Sequence, residues 1–165
     1  MDDLRKEDQV YEALGALQIP YTRHGHPAVY TVEEAERYWE GIEGTHCKNL
    51  FLRNKKGNHH YLLVAESRKK TDLGTLNGVL GEDRLSFASP ARLAEHLGLT
   101  PGAVSPFGLL NNKDKSVIVI IDEDLKKSGL VNFHPNVNTA TISLSFDDFR
   151  KYLDWCGNEV RYISL

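Results

Sequence analysis

Lys48 stands between Cys47 and the apolar run NLFL, at the start of a segment that reads as a strand. From the end of a strand its ammonium can project into a cleft; the same residue serves equally as one exposed position of an alternating strand. The run GAVSPFGLLNN, from Gly102 to Asn112, interrupts apolar sequence with two glycines and a proline. A loop of that make-up can bring backbone N–H groups close to a ligand, because glycine allows close approach and unusual dihedrals. An ordinary turn ahead of a strand has the same composition. In NFHPNVNTATI, His134, Asn136 and Asn138 gather around Pro135 directly before a strand. Such polar side chains suit the mouth of a binding site, or an Asn-rich turn holding one hydrogen-bonded histidine.

Other chemistries have less to stand on. Seven histidines invite a metal, with His24 and His26 or His59 and His60 as obvious pairs, yet neither HEXXH nor a Cys/His ribbon is present. Cys47 and Cys156 form no CxxC pair and read as free buried thiols. No GxSxG elbow and no Gly-rich phosphate fingerprint occur. A formal net charge of −3 gives no general affinity for nucleic acid, so any RNA contact has to be local. Arg53 with Lys55 and Lys56, Arg68 to Lys70, and Lys126 with Lys127 are the runs available for it, each equally readable as solvated surface.

These residues need a frame. A chain of 165 residues, 41% hydrophobic and 26% charged, fits one ordinary globular domain spanning 1–165. No apolar run approaches the roughly 20 residues that cross a bilayer, and the acidic start MDDLRKEDQ does not resemble a signal peptide, so the expected location is the cytoplasm. Leu4, Val10, Leu14 and Leu17 recur at helical spacing over about residues 3 to 18, and Pro20 closes that helix. YTRHGHPAVY is extended or looped. Thr31 with Glu34 forms a capping box opening a helix through about Trp39. CKNLFLRN and HHYLLVAE flank KKGN as a β-hairpin. A short helix is expected over Thr71 to Leu80 and a strand from Arg84; Ser89 and Pro90 then start a helix that Gly98 stops. SVIVIID, rich in β-branched residues and without alternation, suits a central strand covered on both faces. TATISLS reads as a strand, Phe146 to Trp155 as a helix and VRYISL as a last strand. Interleaved helices and hairpins make the fold class α/β or α+β with a mixed sheet.

Taken together, Lys48 in CKNLFLRNKKG, the GxxxP of Gly102 to Pro106 and His134 in FHPNVNTATI resemble the signature of the YbaK-like aminoacyl-tRNA editing family. With PAVYTVEEAE upstream and SPFGLLNN joined to the GxxxP, the likeness covers almost the whole chain and is nearest to freestanding prolyl-tRNA deacylases that remove alanine. The resemblance implies a largely antiparallel curved sheet flanked by helices, with no cofactor, no metal and no covalent intermediate. It implies hydrolysis of the ester of alanyl-tRNA for proline, with Lys48, Gly102 and His134 catalytic and with Val29, Tyr30, Thr31, Ser105, Pro106, Phe107, Gly108 and Asn138 against the substrate. Aminoacylated tRNA for proline is the implied partner, with prolyl-tRNA synthetase a second, and neither membrane nor DNA is involved. The alternatives are a cysteinyl-tRNA deacylase of the same chemistry and a non-catalytic module that binds tRNA or a synthetase.

Overall fold

The computed structural model describes residues 2–165. Helix α1 (Asp3–Ala16) is capped by Asp2, whose carboxylate accepts from the Arg5 N–H, and it turns Val10 and Leu14 inward. Strand β1 (Thr22–Gly25) is tied back to it by Arg23, whose Nε lies 2.7 Å from Glu7 Oε1. Helix α2 (Val32–Trp39) starts at Thr31, whose hydroxyl accepts from the Glu34 N–H. Strands β2 (Thr45–Asn54) and β3 (His60–Glu66) make the hairpin, with Cys47 opposite Glu66 and Arg53 opposite His60. After α3 (Leu73–Leu80) and β4 (Leu85–Phe87), Ser89 caps α4 (Pro90–Leu97) and Gly98, at φ 65°, ends it. A 3₁₀ helix at Pro106–Asn111 leads to β5 (Val117–Asp122), and a second at Glu123–Lys127 leads to β6 (Leu130–Phe133). The chain closes with β7 (Ala140–Ser145), α5 (Phe146–Cys156) and β8 (Val160–Ile163).

The strands form one mixed sheet in the order β1-β7-β6-β2-β3-β5-β8, with β4 added to β2. Antiparallel pairs are β1–β7, β6–β7, β2–β3 and β2–β4; β2–β6, β3–β5 and β5–β8 are parallel. Alternation sorts the side chains into two layers. Leu62 and Val64 of β3 and Val117, Val119 and Ile121 of β5 join the large core with α1, α4 and α5. Tyr61, Leu63 and Ile120 face the smaller layer with Leu76 of α3. The β-branched run of β5 is thus covered on both faces, as its lack of alternation predicts.

β2 organises everything that follows. Phe51 lies in the large core and Leu52 in the small one, so the strand sends odd positions to the first face and even positions to the second. One edge pairs with β3 along most of its length. The other meets β6 at Thr45 and His46 and β4 from Leu52 onward; between Lys48 and Leu50 it pairs with no strand.

Three features depart from the sequence reading. β6 is a strand in a stretch to which the sequence reading assigns no element, because Asn132 in its middle breaks the apolar pattern; its amide is absorbed internally, donating to Glu43 O at 2.9 Å and accepting from the Ser143 hydroxyl. The PFGLLN segment is helical rather than an open loop, capped by Ser105, whose hydroxyl accepts from the Phe107 N–H. In the capping box, Glu34 reaches past Thr31 and accepts from the Tyr30 N–H at 3.0 Å.

Candidate active site

The gap beside Lys48–Leu50 opens into a hollow of about 200 Å³, walled by Val29 to Thr31, Ala35 and Trp39 on one side and by Cys47, Lys48 and Asn49 on another. Ser67, Gly102, Val104 and His134 complete the lining. Three sequence segments separated by tens of residues meet here because β2 and β6 run side by side and the loop after α4 crosses over them.

Lys48 reaches the carbonyl of Lys69 and donates to it through Nζ. That carbonyl is held by its own residue: the Lys69 N–H donates to Glu66 O, and Lys69 Nζ lies 2.9 Å from Asp122 Oδ1 and 2.7 Å from Asp124 Oδ2. Burial pulls the Lys48 ammonium below the usual lysine range, and the Glu66 carboxylate works against that. The result is a compact cation at the edge of the hollow, of the kind that holds a phosphate as a point charge.

Gly102 sits at φ 90°, and a side-chain carbon placed there would lie 3.4 Å from Cδ1 of Tyr30. Its bare backbone therefore forms wall. The Ala103 N–H is occupied by Thr100 O at 3.1 Å, whereas among the described residues the Gly102 and Val104 N–H groups have no protein acceptor. Free N–H groups on a fixed turn are the raw material for steadying an oxyanion. The rest of the expected loop lies elsewhere. Ser105 and Phe107 are fully buried, Pro106 O accepts from the Tyr152 hydroxyl at 2.9 Å, and a Cβ on Gly108 would meet Leu99 Cδ1 at 2.7 Å. Ser105, Pro106, Phe107 and Gly108 are packed behind the wall and line no part of the hollow; the glycine there admits a close helix contact, not a ligand.

His134 lines the hollow and hydrogen-bonds through Nδ1 to Ala140 O at 2.8 Å. A carbonyl only accepts, so Nδ1 carries the proton and Nε2 the lone pair. Burial holds this imidazole below its usual range, the Ala140 bond opposes that, and neighbouring His26, 5.9 Å away between ring centres, adds to the lowering. Asn138 does not line the hollow; its amide donates to Val29 O at 3.1 Å and so anchors the segment that carries Tyr30.

Sequence reasoning passed over Ala35, Trp39, Cys47, Asn49, Ser67 and Val104. Cys47 and Asn49 flank Lys48 and were in plain view, but only the gap in the sheet shows that both sides of β2 border one space. Burial drives the Cys47 thiol far above the usual range, which leaves it protonated and a poor nucleophile. Adjoining the hollow is a smaller cavity of about 20 Å³ that shares Trp39, Cys47, Asn49 and His134 with it. The remaining histidine pairs have protein partners: His59 with Glu82, and His60 with Arg92 and His96. Among the described residues no group of three potential metal ligands converges. Lys126 and Lys127 pair with Glu123 and Asp124, and Arg53 donates to the carbonyls of Asn54 and Lys55. No described helix is long and apolar enough to cross a membrane.

A mixed sheet split over a small hollow, with a strand lysine, a glycine turn and a histidine on its rim, defines a compact ligand-binding α/β fold of the editing-domain type. The aminoacyl-tRNA editing domain family matches residues 26–152, and the chain belongs to that family, whose members are hydrolases of aminoacyl esters. The chain is 44% identical to the prolyl-tRNA editing protein ProX of Acetoanaerobium sticklandii over 165 residues, 99% of each chain. It is 32% identical to prolyl-tRNA synthetase associated domain-containing protein 1 of Mus musculus, covering 95% of this chain and 94% of that one. A solved structure assigned provisionally as a trans-editing enzyme for prolyl tRNA synthetase superposes with a TM-score of 0.72 at 23% identity, over 100% of this chain and 99% of that one, and supports the fold.

Proposed function

We propose that the chain hydrolyses the ester of alanyl-tRNA for proline, acting in trans to remove alanine that a synthetase has misattached. The observation that carries the proposal is that Lys48, Gly102 and His134 border one hollow of about 200 Å³. That volume lies below the roughly 300–1,000 Å³ of sites for drug-sized ligands, which suits a small aminoacyl group. A synthetase pocket built for proline discriminates poorly against a smaller side chain, since a missing methylene is worth only about 1–3 kcal/mol. A second site that admits alanine and excludes proline by bulk supplies the missing selectivity.

An aminoacyl ester is already activated, so positioning does most of the work. Water attacks the carbonyl carbon, the developing oxyanion is met by the free N–H groups at Gly102 and Val104, and the vicinal ribose hydroxyl assists the attack. Lys48 holds the terminal phosphate and ribose, and His134 orients the substrate through Nε2. The partner is tRNA for proline, in keeping with the names of the curated relatives. The deciding experiment compares release of alanine, cysteine, serine and proline from one purified tRNA for proline. Alanine is expected to leave fastest and proline to stay; fastest release of cysteine would reassign the substrate, and binding without release of any residue would make the chain a tRNA-binding module.

A further inference from the structure

Lys48 is held by a carbonyl, and that carbonyl by a charge cluster that no step of the reaction uses. Among the described residues, Lys69 O is the hydrogen-bond partner of Lys48 Nζ and no carboxylate touches it. A backbone carbonyl fixes an ammonium without neutralising it and engages one of its three donors, so two donors and the whole charge stay free for a phosphate. A carboxylate in the same place would cancel the charge on which that contact depends. The position of Lys69 O therefore sets where the cation stands.

Lys69 lies on the turn that follows β3, between exposed Arg68 and exposed Lys70. The start of the turn is pinned to β2 by the Ser67 N–H, which donates to His46 O at 2.8 Å. Its far end is pinned by the Lys69 side chain, which reaches the end of β5 and places Nζ 2.9 Å from Asp122 Oδ1 and 2.7 Å from Asp124 Oδ2. Asp124, and after it Asp122, raises the Lys69 ammonium above the usual lysine range, so it is charged. The two carboxylates also cancel that charge, which would otherwise repel Lys48 beside it. Asp122 is fully buried at the end of an apolar strand, and its Oδ2 has no partner. Burying a carboxylate with one oxygen unpaired is costly, and an apolar side chain often serves a fold equally well in such a place. What the cluster does that an apolar contact would not is hold the Lys69 main chain against β2 without giving Lys48 a counter-ion.

Building on the deacylase reading, we infer that Lys69, clamped between Asp122 and Asp124, is a positioning residue that fixes the Lys48 ammonium at the rim of the hollow. Buried Asp122 anchors the clamp to β5, and exposed Asp124 closes it from the solvent side. None of the three lines the hollow. They act on the substrate only through the Lys69 carbonyl and the ammonium bonded to it.

The test is a double-mutant cycle on the release of alanine from alanyl-tRNA for proline, with protein in excess over tRNA and thermal unfolding checking that each variant is folded. Lys69→Met removes the cation. Because it leaves Asp122 buried without a partner, Lys69→Met combined with Asp122→Asn is run beside it; the pair of changes takes away both charges and keeps the oxygen that accepts from the Asp124 N–H. Each variant should lower the rate about tenfold to a hundredfold, as misplacing a contact by about 1 Å does, and should lower it less than twofold when introduced into Lys48→Ala. Lys69→Arg, which keeps a cation between the two carboxylates, should stay within threefold of the wild type. Equal losses with and without Lys48, or no loss with it, would overturn the assignment while leaving the deacylase standing. Wild-type protein that releases no amino acid would overturn the deacylase reading itself and the assignment with it.

Discussion

The two ends of β2 carry similar side chains and behave in opposite ways. At its far end Asn54 is saturated: Nδ2 donates to Asn58 Oδ1 at 2.7 Å, and Oδ1 accepts from the N–H groups of Asn58 and His59. His60 accepts from Arg92 at 3.0 Å and lies on His96, with 4.0 Å between ring centres, while Arg92 also donates to Gly57 O. Every polar group there closes the hairpin. At the near end Asn49 Oδ1 and His46 Nδ1 are buried without partners, the Gly102 and Val104 N–H groups are free, and the strand edge is unpaired. Histidines, amides and cations occur at both ends; unspent hydrogen-bonding capacity occurs at one. The difference teaches that, along this one strand, the polar groups of the far end are spent on the hairpin while those of the near end stay available beside the hollow.

That contrast can be broken by mutation. Lys48→Ala should lower the deacylation rate by about 10²–10³, the usual loss when one preorganised electrostatic contact is removed, and should leave urea stability nearly intact; His60→Phe, at the saturated end, should change the rate less than twofold. A Lys48→Ala protein of full activity would remove the lysine from the mechanism. Among the loop glycines the effects should separate in the other direction. Gly108→Ala forces a methyl to within 2.7 Å of Leu99 Cδ1 and should cost about 1–3 kcal/mol in urea unfolding, whereas Gly102→Ala, on the wall of the hollow at φ 90°, should cost about 1–2 kcal/mol through its left-handed backbone and lower turnover as well.

Acid should act on the closed end. His60 is 5% exposed, and burial, with His96, Arg92 and Arg53 adding their charges, holds its pKa at about 4. The unfolded chain takes up that proton near pH 6.5 and the folded chain only near 4, so between these values the unfolded state binds more protons. Stability should therefore decline as pH falls through that window and gain nothing from this residue above it. His60→Phe should flatten that part of the curve; an unaltered slope would place the titration elsewhere. The smallest effect is expected from Lys127→Ala, whose exposed pair with Asp124 should leave the midpoint of thermal unfolding unchanged.

Much of this was legible beforehand, and the reasons are local. Thr31, Ser89 and Gly98 announce helix ends because capping needs a particular side chain or a left-handed backbone within a few residues. The hairpin and β5 follow from composition. β6 was hidden because four residues with an asparagine among them carry too little pattern. The GxxxP segment divided in a way no spacing reveals: Gly102 and Val104 face the hollow, and the four residues from Ser105 face the core, because Tyr152 on α5 and Leu99 after α4 draw that half inward. Asn49 carries no mark in the sequence, since its place on the hollow depends on His134 after β6 and on Gly102 and Val104 in the loop after α4.

One feature of the sheet has a signature in solution. A strand in the middle of eight would ordinarily shelter its amide protons from deuterium on both sides, yet the stretch from Lys48 to Leu50 has a neighbour on one side only. Alternate amides of that short stretch should trade hydrogen with solvent as quickly as those of a surface loop, while the ones between them, bonded to β3, are retained until the whole molecule opens. Filling the hollow with a non-hydrolysable aminoacyl analogue should slow the quick ones and leave the slow ones as they were.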